Sequence, residues 1–108
     1  MMEITPQQVF ARLADTPLAD AQIVDVRETA ELADGMIDGA IHIPLSTVPE
    51  RHGELDRARP VIVVCRSGRR SASAADQLSQ VGFDAYTMAG GMLEWAALGF
   101  PTVVPLTH

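Results

Sequence analysis

The apolar positions of this 108-residue chain change period several times along its length, and each change predicts a new element. Val61-Ile62-Val63-Val64 carries no polar residue, the pattern of a central parallel strand covered on both faces. Gln22-Ile23-Val24-Asp25-Val26 is a second β-rich run, and Ala40-Ile41-His42-Ile43, stopped by Pro44, is a third; the residue ahead of a proline is biased toward extended backbone. Asp84 to Met88 reads as a fourth strand. Helical spacing takes over between them. Thr5-Pro6-Gln7-Gln8 supplies an N-cap, a proline at the first helical position and a capping-box glutamine. It predicts a helix that buries Val9, Phe10 and Leu13 and ends near Ala14 or Asp15. Glu28 to Ala33 predicts a short helix closed by Asp34-Gly35, and Ser46 can cap a further turn or two before Gly53. From Ser71 to Val81, the residues Ala74, Ala75, Leu78 and Val81 fall at inward spacings and Gly82 ends the helix. Gly91-Met92-Leu93-Glu94-Trp95 opens the last one.

Strands alternating with helices define an α/β fold with a parallel sheet, whose ligand site lies at the carboxyl ends of the strands. The length suits one compact domain, residues 1–108, since domains run to about 100–150 residues. No repeat or linker interrupts it. Aromatics are 5% of the chain against 47% hydrophobic residues, so the core is expected to be aliphatic.

Net charge is −6 and all eight basic residues are arginine, which excludes nucleic acid as an expected partner. No apolar stretch approaches the ~20 residues of a membrane span. The single cysteine excludes an internal disulfide, and Met1-Met2-Glu3-Ile4-Thr5-Pro6 has neither the basic start nor the apolar run of a signal peptide, so a cytoplasmic location is expected. His42, His52 and His108 have no ligand spacing with one another or with Cys65, so neither a metal nor another cofactor is expected. The charge is uneven. Eleven of the fourteen acidic residues lie between Glu3 and Asp56, whereas Arg66, Arg69 and Arg70 crowd one short stretch.

That stretch carries the chemistry. Cys65 stands at the carboxyl end of the most apolar strand and is followed by Arg66-Ser67-Gly68-Arg69-Arg70 and then a helix. Successive backbone N–H groups in such a turn, with the helix dipole, stabilise negative charge. Gly68 permits torsions that a side chain hinders. A cysteine so placed has a lowered pKa, and its thiolate is a nucleophile. Arginine adds planar donors that suit an oxyanion.

With these residues the chain resembles the rhodanese family over nearly its whole length. Val24-Asp25-Val26-Arg27-Glu28 is similar to the family's first motif, Gly35 to Pro44 to its second, Cys65 to Ser71 to its active-site loop, and Gly90-Gly91-Met92 with Trp95 to its final element. The usual Gly-His-Ile-Pro-Gly-Ala stands here as Gly35-Met36-Ile37-Asp38-Gly39-Ala40. The resemblance implies a five-stranded parallel sheet with helices on both faces. It also implies that Cys65 captures the outer sulfur of a thiosulfate-type donor as a persulfide and yields it to a thiol or cyanide, in two half-reactions.

Arg66, Ser67, Gly68 and Arg69 then shape the donor pocket, with Arg66 and Arg69 meeting the dianion. Arg70 either closes the pocket or turns inward as the partner of a carboxylate such as Asp25. Asp25 is expected to accept hydrogen bonds from a neighbouring loop. Arg27 is expected as a surface partner of Glu28 or Glu31, the alternative being a cation at the pocket rim. Ser71 supports the loop. A sulfur-relay module loaded by a protein partner is the competing reading. A phosphatase or arsenate reductase is disfavoured, because those loops carry one more residue between cysteine and arginine than the stretch Cys65 to Arg70. The tail from Phe100 to Leu106 is either a packed arm or a partner surface.

Overall fold

The computed structural model describes residues 2–14 and 20–105, with the backbone alone over 12–14. The predicted burial of Leu13, a helix end at Asp15, and the tail residues Leu106 to His108 lie outside what is described. Five parallel strands form one sheet in the order β1-β5-β4-β2-β3: β1 Met2–Ile4, β2 Gln22–Asp25, β3 Ile41–His42, β4 Val61–Val64 and β5 Ala85–Met88. Among the described residues four α-helices accompany it: α1 Pro6–Ala14, α2 Val48–Arg51, α3 Arg69–Gln80 and α4 Gly91–Ala97.

The unbroken apolar run of β4 has the cause expected of it. Val61, Val63 and Cys65 face one core with Ala74, Ala75 and Leu78 of α3, while Ile62 and Val64 face a second core with Val9 of α1 and Met92 and Trp95 of α4. Each strand residue alternates faces, and both faces are covered, so no polar side chain has water to point to. α1 begins as the sequence predicts: Thr5 Oγ1 accepts from Gln8 N–H at 3.1 Å and Gln8 Oε1 accepts from Thr5 N–H at 2.9 Å.

Some elements differ from expectation. β1 was hidden in the segment read only for a leader signal, because three residues with one buried side chain, Ile4, give no periodicity. The short helix expected from Glu28 to Ala33 is present and takes 3-10 form over Thr29–Asp34, with a reciprocal capping box between Glu28 and Glu31. Ser46 caps nothing: it lies inside the 3-10 turn Leu45–Thr47 that follows Pro44. Phe10 and Val81, both assigned to inward faces, are 39% and 41% exposed. Phe10 still stacks on Phe100, with ring centroids 4.5 Å apart. Val81 falls past the end of α3.

Met36, which replaces the usual histidine of its motif, is buried and exchanges backbone hydrogen bonds of 2.8 Å with Val103 in both directions. The turn beyond it survives without proline, because Gly39 takes φ +81° and Ala40 N–H donates to Ile37 O at 3.1 Å. Asp38 is exposed at that turn. Among the described residues no helix is long and apolar enough to cross a membrane.

Candidate active site

β4 delivers Cys65 to the carboxyl edge of the sheet, and Gly68, at φ +108°, turns the chain into α3. This left-handed step closes the loop tightly enough for Gly68 N–H to donate to Cys65 Sγ at 3.0 Å. Ser71, in the first turn of α3, places Oγ 3.4 Å from Sγ. The same oxygen donates to Gly68 O at 3.1 Å and shares a 2.7 Å hydrogen bond with Thr87 Oγ1 of β5. Cys65 is fully buried, yet polar groups meet its sulfur on the loop side.

Two opposing effects act on that sulfur. Burial, the largest, raises the thiol pKa; hydrogen bonds from the Ser71 hydroxyl and from the Ser71, Gly68 and Ser67 amides lower it, and together they win, so the net shift is downward. As a thiol, Cys65 donates to Ser71 Oγ. Once ionised it is an acceptor, so the Ser71 proton turns toward sulfur and Thr87 can donate to the vacated oxygen. Thr87 was not singled out in the sequence, where a threonine in a strand reads as ordinary β-propensity.

Ser71→Ala is therefore expected to move the thiolate titration to higher pH. Loss of one hydrogen bond to a charged group, ~1.5–3 kcal/mol, slows any thiolate-dependent step at neutral pH by about ten-fold or more. Ultraviolet titration of the thiolate checks this, and an unmoved midpoint would exclude Ser71 as a donor.

The neighbouring arginines divide into committed and free. Arg27 is 2% exposed, where a surface position had been expected. Its Nε and Nη2 donate to the fully buried Asp25 at 2.9 and 2.7 Å, and Nη2 and Nη1 reach the carbonyls of Gly35 and Glu31 at 2.9 and 3.3 Å. Asp25 thus accepts hydrogen bonds as anticipated, but from Arg27 and not from Arg70. His42 Nε2 lies 2.7 Å from Arg27 O.

Arg70 turns instead to Glu31, with a bidentate contact at 2.6 and 2.7 Å. The Arg70 guanidinium holds Glu31 down at about 2 from 4.5, so this link between loop and 3-10 helix stands above about pH 4.5 and is lost as pH falls toward 2. Thirty-nine residues separate the pair, and no local pattern announces it. Arg66 and Arg69 are exposed and, among the described residues, form no ion pair. Ser67 is exposed between them.

The far side of the loop is held by α4. Met92 N–H donates to Cys65 O at 2.8 Å and Leu93 N–H to Arg66 O at 3.0 Å. Gly91, at φ +60°, makes this approach possible: a Cβ there would stand 2.5 Å from both carbonyl oxygens. A cavity of about 420 Å³ meets the loop at Arg66 and is lined on the α4 side by Met92, Leu93 and Ala96. Among the described residues no cluster of His, Cys, Asp and Glu has the makings of a metal site.

An α/β parallel sheet with a lone cysteine in an amide-lined loop at its carboxyl edge defines a class, and comparison with known proteins gives its family. Residues 5–98 match the rhodanese-like domain. The chain is 40% identical over 104 residues to a sulfurtransferase of Allochromatium vinosum, covering 95% of each. It is 37% identical over 81 residues to the thiosulfate sulfurtransferase GlpE of Shewanella oneidensis, covering 74% of this chain and 80% of that protein. The crystal structure of a rhodanese-related protein from Thermoplasma volcanium superposes with a TM-score of 0.89 at 31% identity, over 97% of this chain and all of that one. The chain belongs to the rhodanese-like family, as a rhodanese-type sulfurtransferase.

Proposed function

We propose that this protein takes the outer sulfur of thiosulfate onto Cys65 and passes it to a thiol or to cyanide. The observation that carries the reading is the set of donors converging on a buried sulfur, led by Gly68 N–H at 3.0 Å from Sγ. Such donors stabilise the thiolate that attacks and the persulfide anion that results, without reorganising at the moment of reaction.

In the first half-reaction the Cys65 thiolate forms a bond to the outer sulfur of the donor, the donor's sulfur–sulfur bond breaks, and sulfite departs with the electron pair. Arg66 and Arg69 meet the donor's sulfonate, since both are exposed and unpaired among the described residues. Ser67 and Gly68 supply amides, and Arg70 and Ser71 hold the loop's shape through Glu31 and Thr87. Similarity to a protein named as a thiosulfate sulfurtransferase favours this donor. The cytoplasm suits the reaction, because its thiols stay reduced and are available as acceptors.

Incubation with thiosulfate is expected to add one sulfur to the intact mass, which a thiol or cyanide then removes. A mass that never changes with thiosulfate, while a partner protein's persulfide is accepted, would establish a relay module in place of this reading.

A further inference from the structure

Thr87 is 3% exposed and shares a face of β5 with Ala85, which packs in the core beneath α3. It stands in register with Val63, two residues before Cys65 on β4. A valine would suit such a position, and burying a hydroxyl there costs free energy unless it is hydrogen-bonded. Among the described residues that hydroxyl has one partner, Ser71 Oγ at 2.7 Å. Ser71 is itself fully buried, so water does not compete for either group.

Counting protons and lone pairs sets the direction of that bond. A serine hydroxyl has one proton and two lone pairs. With Cys65 as a thiol, S–H occupies one lone pair of Ser71 Oγ and the Ser71 proton points to Gly68 O, 3.1 Å away. The second lone pair is left for Thr87, which is therefore the donor. Were Thr87 the acceptor, its own proton would have no partner among the described residues, and the Ser71 proton would be committed away from the sulfur. Once the thiol proton is lost to solvent, one rotation suffices: the Ser71 proton leaves Gly68 O for Sγ while Thr87 keeps hold of the oxygen. Gly68 O is not orphaned, because Ala72 N–H also donates to it at 3.1 Å. Burial opposes ionisation of Cys65, and the Ser71 hydroxyl is foremost among the groups that favour it. A hydroxyl that accepts a hydrogen bond is also a stronger donor, since bonds in a chain polarise one another.

We propose that Thr87 is a positioning residue for the nucleophile: by donating to Ser71 Oγ from the neighbouring strand, it reserves the Ser71 proton for the sulfur of Cys65. It acts on the sulfur only through Ser71. The proposal deepens the proposed function and rests on Cys65 working as a thiolate.

The test is ultraviolet titration of the thiolate, which reports Cys65 alone because the chain has one cysteine, beside thermal melts and thiosulfate loading read by mass. Thr87→Val keeps the shape and β-branch of threonine but removes the donor. It is expected to raise the midpoint, so that the thiolate present at a fixed pH below it falls by about three- to ten-fold, the effect of one hydrogen bond. Thr87→Ser, which keeps the donor, is expected to titrate as the wild type does. In Ser71→Ala the link is already cut, so adding Thr87→Val is expected to leave the midpoint where Ser71→Ala alone puts it. A role in packing alone would not produce this pattern. An unmoved midpoint in folded Thr87→Val, a serine protein shifted as far as the valine one, or additive shifts in the double variant would each overturn the assignment. Thr87→Ala, read in the same way, decides the matter should the valine protein fail to fold. Midpoints that shift as expected in protein that gains no mass with thiosulfate overturn the choice of donor and leave the role of Thr87 standing.

Discussion

Cys65→Ser is expected to abolish sulfur loading while leaving the domain folded. The substitution exchanges one atom at a site that is fully buried and already polar on one side, where Gly68 N–H and the Ser71 hydroxyl can meet an oxygen as they meet sulfur. The structural cost is therefore small. The chemical cost is complete. An aliphatic hydroxyl stays protonated at neutral pH, and amide donors alone cannot make it a nucleophile; that takes an adjacent base. The sulfur partners found among the described residues, Ser67, Gly68 and Ser71, include no base. Intact mass after thiosulfate treatment, beside a thermal melt, separates the two costs. A serine protein that still gains sulfur would move the chemistry away from Cys65.

Arg27→Ala is expected to have the largest effect on stability. It leaves the Asp25 carboxylate fully buried without its cation, a loss of ~3–5 kcal/mol, or about 12 °C or more in Tm for a domain of this size. It also releases the carbonyls of Glu31 and Gly35, which the guanidinium ties to the end of β2. Arg27→Met combined with Asp25→Asn should recover part of the loss, because the unpaired charge is then gone. A melt of Arg27→Ala at the wild-type temperature would show that the pair contributes no net stability.

How far the sequence could be read depended on whether the cause of each feature was local. β4 and the body of α3 were legible because their apolar residues sit between two packed layers and repeat at the period of their element. The loop from Cys65 to Ser71 was legible because strand, glycine and helix start are contiguous. Arg27 was misjudged although its partner is close in sequence. Its neighbours in sequence include Glu28 and Glu31, but the chain curls so that Asp25, two residues back, becomes its partner. Arg70 and Glu31 meet across 39 residues, and Ser71 and Thr87 across 16. Pairings at that range are set by the order of strands in the sheet, which no window of sequence displays. β1 is three residues long, and its identity as a strand comes from β5 beside it.

The contact between α4 and the loop sets the polarity of the sulfur's surroundings. A trans peptide points its C=O and N–H in opposite directions, and the described chain contains no cis bond. Leu93 holds the oxygen of Arg66, so the hydrogen of the next amide, that of Ser67, must face away from α4, toward Cys65. A helix that donates nothing to the sulfur thereby aims a dipole at it. A side chain at position 91 would loosen that aim from behind, disarming the nucleophile without touching it.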